Sequence, residues 1–404
     1  MRDPQQLTGP DFKSEEAMLS ETTITSVEIF EFIVRLKEMG TDYNGFNFVY
    51  CPGETLELKR HALAITTHGG LRGECIAGSA SSYAQIAGFT HYLLGKDALQ
   101  REKIYNDVKR ALRQSDRTGL GPVDIALWDI AGKYYDTPIY KLLGGSDKPL
   151  PCYASTYHGD RNGGLDSPEA FADFAVQCQD MGYPAFKCHP WGDPITKQEI
   201  ENVLAIRKAV GDDMDLMLDP ACEYETFGQA LKVGRAVDEA NYFWYEDPYK
   251  DGGVSAFAHR KLRETLKTPL LMTEHIRGLE EHVDFIVNGG TDFVRVDAYI
   301  DGGLTGALKI AHAAEGFGLD GETHGPGPVH RHLMASIRNT NYYELGLVHP
   351  KAPAHSGDIY LDYSDNLDSV DENGCVYVPQ GPGLGAQINW DFVKKNQVDG
   401  AVFD

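Results

Sequence analysis

Three acidic residues, Asp219, Glu246 and Glu274, each close a short apolar run, and they stand 27 and 28 residues apart along the chain. If each run is the strand of one repeated βα unit, the three carboxylates reach the same end of a parallel sheet. Three negative charges that close repel unless a cation lies between them. An oxygen-only set with positions left for water or substrate suits octahedral Mg²⁺. An acid after a strand is also a common N-cap of the next helix, so the argument rests on three in register rather than on any one of them.

Asp297 and His324 end the next two runs, and Glu344 lies on the one after. An aspartate that accepts a hydrogen bond from one imidazole nitrogen fixes the tautomer and raises the basicity of the other, so Asp297 and His324 make a competent general base or acid. Plainer readings stand beside this one. His324 belongs to a loose group with His330 and His332, and Asp297 follows Arg295 by two residues, on the same strand face, where the two could form an ion pair. Upstream, Lys187 and His189 are spaced i, i+2, which puts both on one face of a strand. A lysine inside a barrel mouth needs an anionic partner, which the acids or a substrate carboxylate would supply; solvated residues just past a strand end are the alternative.

The elements that must position these groups are legible from patterning. Beyond Pro149, short apolar runs alternate with amphipathic stretches, the pattern of βα repeats. The runs LPCYAST, YPAFKCH, MDLMLD, NYFWYED, PLLMTEH, DFVRVD, LDGETH and NYYELG make eight strands, enough to close a barrel over 146–347. Residues 1–22 read as a flexible arm. Residues 23–145 read as a smaller α+β module, with strands at Ile24 to Leu36 and His61 to Thr67 and helices from Ser82 to Leu143. The last stretch, 348–404, is rich in Gly and Pro and is expected to pack back on that module. Gly40 to Glu54, GTDYNGFNFVYCPGE, reads as a long loop suited to a lid, with Asn44 as its candidate substrate contact.

Bulk composition excludes several classes. With 37 Lys and Arg against 60 Asp and Glu, a formal charge of -23 argues against a nucleic-acid partner. No stretch of 18 apolar residues and no apolar leader occur, so neither a membrane partner nor secretion is expected and the reading is cytoplasmic. The seven cysteines are scattered, odd in number and without a C-x-x-C pair, which suggests neither a disulfide framework nor a thiolate zinc site but reduced thiols.

The order Lys187-x-His189, Asp219, Glu246, Glu274, Asp297, His324, Glu344, with the WYEDP turn and DAYIDGGLTG, resembles the mandelate racemase subgroup of the enolase superfamily. VDIALWDIAGKYYDTPIYKLLGG is similar to that superfamily's linker helix. The resemblance implies a (β/α)7β barrel with an N-terminal α+β capping domain and a homo-oligomer. It implies Mg²⁺ on Asp219, Glu246 and Glu274, a catalytic dyad of His324 with Asp297, and Glu344 hydrogen-bonded to an enediolate. Ser155 matches a substrate-contact serine. Where the subgroup has Lys-x-Lys, this chain has Lys187-x-His189, and DPACEY lacks the Asp-x-His of mannonate- and galactonate-type dehydratases. The expected chemistry is removal of the proton α to a carboxylate on a small-molecule acid. Loss of a β-hydroxyl would make the enzyme an acid-sugar dehydratase; reprotonation of the opposite face would make it a racemase or epimerase. A barrel that binds metal without turnover is the third reading.

Overall fold

The computed structural model describes residues 20–352 and 358–404. Most of the expected arm, 1–19, lies outside the described residues. Its last residues depart from the expectation: Thr22 is buried, and the next residue, Thr23, bridges to Asp97.

The capping module opens with β1 (Ile24–Thr41), β2 (Phe48–Thr67) and β3 (Arg72–Ile76), and continues into α1 (Ala80–Leu93), α2 (Arg101–Ala111), α3 (Leu120–Tyr134) and α4 (Ile139–Leu142). Strand β1 shows only partial alternation because it is buried on both sides. Val27 and Ile29 pack on the cap helices, whereas Phe30, Phe32, Val34 and Leu36, of opposite parity, pack on the C-terminal segment and Tyr157. Gly40 to Glu54, expected as one long loop, is mostly strand. Met39 pairs with Tyr50, Gly40 with Val49 and Thr41 with Phe48, so the long loop shrinks to a six-residue turn, 42–47, at the tip of a hairpin.

The barrel follows as β4 (Leu150–Gly159), α5 (Pro168–Asp180), β5 (Ala185–Trp191), α6 (Thr196–Val210), β6 (Asp215–Leu218), α7 (Phe227–Glu239), β7 (Trp244–Glu246), α8 (Ala256–Arg263), β8 (Leu270–Met272), α9 (Gly278–Val287), β9 (Phe293–Val296), α10 (Gly303–Gly316), β10 (Asp320–Thr323), α11 (Pro328–Ser336) and β11 (Tyr343–Val348). All eight expected strands are present. Their pairings are parallel in the order β10-β9-β8-β7-β6-β5-β4-β11, a nearly closed barrel. In the C-terminal segment β12 (Cys375–Val376) pairs with β4. The short α12 (Trp390–Lys395) then leads to β13 (Gln397–Phe403), which joins the cap sheet beside β1.

Helix α3 locks the two modules together. Its Asp124 accepts from Thr305 N on α10 at 2.9 Å, and its Asp129 accepts from Leu384 N and Glu74 N at 2.9 Å each. A Cβ at Gly121 would collide with the carbonyl oxygen of Tyr299, so glycine there lets α3 approach the loop that follows β9. No described helix is long and apolar enough to cross a membrane.

Candidate active site

Strand geometry stacks the barrel interior in layers. Tyr153, Ala185, Met217, Trp244 and Leu271 form an apolar plug, flanked by Phe293 and Tyr342. Two residues further along each strand the side chain again points inward, which places Ser155, Lys187, Asp219, Glu246, Arg295 and Glu344 in a polar layer above the plug. Another step of two brings His189 and Asp297 to the mouth. Glu274 breaks this parity, standing three residues after Leu271. Thr273 just before it has φ 90°, and that left-handed residue turns the Glu274 carboxylate back toward the axis.

Oxygens of Asp219, Glu246 and Glu274 lie within 4.8 Å of one another. Lys187 Nζ sits 3.1 Å from Asp219 Oδ2, 3.1 Å from Glu246 Oε2 and 2.9 Å from Glu344 Oε1. Burial opposes its charge, yet Glu246 and Glu344 hold the ammonium well above its ordinary range. Arg295 donates from Nε to Glu246 Oε1 at 2.6 Å and lies 3.5 Å from Glu344 Oε2. The guanidinium therefore serves Glu246 and Glu344 instead of pairing with Asp297.

The two imidazoles stand on opposite sides of the acids. His189 Nδ1 donates to the Thr156 carbonyl at 2.7 Å, leaving Nε2 2.9 Å from Asp219 Oδ2. His324 Nδ1 donates to Asp297 Oδ2 at 2.7 Å, leaving Nε2 3.3 Å from Glu274 Oε1. Burial disfavours charge on His324, but Glu274 and Asp297 outweigh it and push the imidazole up to about 10. Burial would raise Asp297 in turn, and the hydrogen bond and charge of His324 hold it below the usual carboxylate range. His330 braces the dyad: its Nε2 accepts from Ala298 N at 3.0 Å, and its Nδ1 donates to the Gly325 carbonyl at 2.9 Å. His332 faces away, bonded to Tyr140 N and to the Leu384 carbonyl.

A cavity of about 490 Å³ opens on Lys187, His189, Asp219, Glu274, His324 and Glu344. A second chamber of about 410 Å³, between cap and barrel, shares His324, Gly325, Pro326 and Gly346 with it. Two expected substrate contacts line neither. Ser155 is buried level with Lys187 and its hydroxyl has no partner among the described residues, while Asn44 turns its side-chain oxygen to Phe46 N at 3.0 Å. The hairpin residue that reaches the cavity is Asn47, which donates to Asp42 Oδ2 at 2.8 Å and to Glu223 Oε1 at 3.1 Å. His158, also in the wall, carries a ring 5.0 Å from that of His189; burial and then the His189 charge press its pKa down to about 3. It lies two residues beyond Thr156, where the predicted strand LPCYAST stops, whereas β4 runs on to Gly159.

The donor set fits a hard divalent cation: three carboxylates converge, and the surrounding charge is negative in excess. Asp247, next to Glu246, shows that excess. Burial first, then Glu274, Glu246 and Asp219, raise its carboxyl well above the ordinary range.

Comparison with known proteins accords with this geometry. Residues 170–392 match the family described as enolase C-terminal domain-like, and residues 57–144 match the mandelate racemase/muconate lactonizing enzyme N-terminal domain. The chain is 31% identical to D-glucarate dehydratase from Agrobacterium tumefaciens, solved in complex with magnesium, with a TM-score of 0.84 over 94% of this chain and 100% of that one. It is 28% identical to D-gluconate dehydratase of Thermoproteus tenax over 70% of this chain, spanning 56% of that protein's length. It is 30% identical to L-talarate/galactarate dehydratase of Salmonella typhimurium over 64% of this chain and 65% of that protein. Cycloisomerases and a racemase are also among its relatives. Two matched domains covering cap and barrel, and a polar layer of the expected residues at the barrel mouth, place this chain in the enolase superfamily, among its mandelate racemase-like members.

Proposed function

We propose that the chain is a Mg²⁺-dependent acid-sugar dehydratase, which removes the proton α to a carboxylate and then expels the β-hydroxyl as water. The observation that carries this reading is the unequal setting of the two imidazoles. A 1,1-proton transfer needs two groups that exchange the roles of acid and base. Here His324 is held between Asp297 and Glu274, two carboxylates that favour its protonated form, whereas His189 meets one carboxylate, Asp219, and is otherwise fixed through a backbone carbonyl.

Asp219, Glu246 and Glu274 would hold the cation, which when bound supplies positive charge to the substrate carboxylate. The remaining work falls to side chains. His189 Nε2, with Nδ1 committed to Thr156 and with Asp219 given over to the cation, takes the α-proton. Lys187 is too tightly paired to act as a base and instead presents fixed positive charge beside the carboxylate oxygens, where negative charge develops. Protonated His324 delivers its Nε2 proton to the departing hydroxyl, and Asp297 keeps the ring aligned while it does so. The chamber beyond His324 receives the distal end of the substrate.

Proton NMR in deuterated water with a panel of mono- and diacid sugars tests this. Keto acid formation should require Mg²⁺, and His324→Asn should retain α-deuterium exchange while losing dehydration. Recovery of inverted, α-deuterated substrate with no keto acid would establish the racemase or epimerase instead.

A further inference from the structure

Beside the carboxylate trio, on the loops after the same three strands, a second group of donors gathers. Cys222 Sγ, an Asp247 carboxylate oxygen and an imidazole nitrogen of His275 lie within 4.8 Å of one another. Asp247 and His275 each directly follow a residue of the trio, just past the strand ends, and Asp247 does so with φ 30°. When Glu246 and Glu274 turn toward the axis, the next residues turn to the outer wall of the mouth.

The second set is built to meet a ligand. Asp247 is 1% exposed, yet neither of its carboxylate oxygens has a hydrogen-bond partner among the described residues. His275 Nε2 stands 3.5 Å from Asp247 Oδ2. Cys222 N donates to the Asp247 carbonyl at 2.7 Å, which ties the first two loops together. The loop after β7 closes over the group so tightly that a Cβ at Gly253 would stand 2.6 Å from Asp247 Oδ1 and 3.0 Å from His275 Cδ2. Cys222 and His275 both line the 490 Å³ cavity, so an ion can enter.

We propose that Cys222, Asp247 and His275 form a second cation site, chemically distinct from the oxygen-only trio, for a borderline-soft divalent ion of the Zn²⁺ class. Thiolate, imidazole and carboxylate together select such an ion over Mg²⁺, and three protein donors leave the fourth tetrahedral position to water. On binding, the Cys222 S–H and Asp247 O–H bonds break, both protons pass to solvent, and sulfur–metal and oxygen–metal bonds form with no change in oxidation state. The ion supplies the partner that the buried Asp247 oxygens lack among the described residues and clamps three successive βα loops around the mouth.

The test uses the full-length protein, stripped of metal by chelation, supplied with excess Mg²⁺ to fill the trio, and titrated with Co²⁺. One equivalent of Co²⁺ should bind with a thiolate-to-cobalt charge-transfer band in the near ultraviolet, absent in Cys222→Ser. A second readout needs no variant: in the wild-type protein, Zn²⁺ should slow alkylation of Cys222 by iodoacetamide about tenfold or more, because a metal-bound thiolate is a poor nucleophile. Absence of the band, its persistence in Cys222→Ser, or alkylation indifferent to Zn²⁺ would overturn the assignment. Neither readout uses turnover, so failure here leaves the dehydratase reading untouched, and the reverse holds equally.

Discussion

Lys187 Nζ lies 2.9 Å from Glu344 Oε1 while also within 3.1 Å of Asp219 and Glu246, so one ammonium on β5 joins carboxylates from three other strands. Removing it would leave those carboxylates facing one another in a dry interior. Lys187→Met should destabilise the metal-free protein by about 3–5 kcal/mol, read as a fall in the urea midpoint. Mg²⁺ should restore part of the loss; an unchanged midpoint would mean that the lysine is not needed to neutralise the layer.

Asp297→Asn removes the charge that keeps His324 protonated and aligned. The variant should lose about 10²- to 10⁴-fold in kcat, with Mg²⁺ affinity moving little because Asp297 touches none of the three proposed ligands. Equal loss of metal affinity would point to collapse of the mouth instead.

Asn47 holds the hairpin tip to the barrel through Glu223 Oε1 at 3.1 Å. Losing a hydrogen bond to a charged partner costs about 1.5 kcal/mol, so Asn47→Ala should raise KM about tenfold. The expected signature is a change in KM with kcat nearly constant; a fall in kcat alone would show that the tip serves the chemical step.

Asp124 joins α3 to α10, and burial raises its carboxyl to about 7 in the folded chain. An acid whose folded pKa exceeds its unfolded value weakens the fold as pH rises through that interval and has no such effect below it. The stability of Asp124→Asn relative to the wild type should therefore grow between about pH 4 and pH 8. Paired urea titrations across that range check it, and a difference independent of pH would contradict it.

Much of this arrangement was legible beforehand, because it follows from period-two strands. Once a strand is placed, Lys187 and His189, or Arg295 and Asp297, must share a face, and one apolar layer must lie beneath. Residues that depart from the period were less accessible. Glu274 reaches the axis through the left-handed Thr273, a backbone state that its sequence does not announce. The plainer alternative, an ion pair of Arg295 with Asp297, gives way because the strand step puts Arg295 level with Glu246 and Glu344. The hairpin tip misled because Asn44 and Asn47 are alike in type. Only the β1–β2 register decides that Asn44 closes the turn while Asn47 faces the cavity.

Above all, a single divalent ion must be shared by side chains from the third, fourth and fifth barrel strands and the loops directly after them. Anomalous diffraction from crystals grown with Mn²⁺ in place of Mg²⁺ addresses this without assuming a substrate. One peak bonded to Asp219, Glu246 and Glu274 together is the predicted result. Saturating Mn²⁺ with no density among these three carboxylates would contradict it.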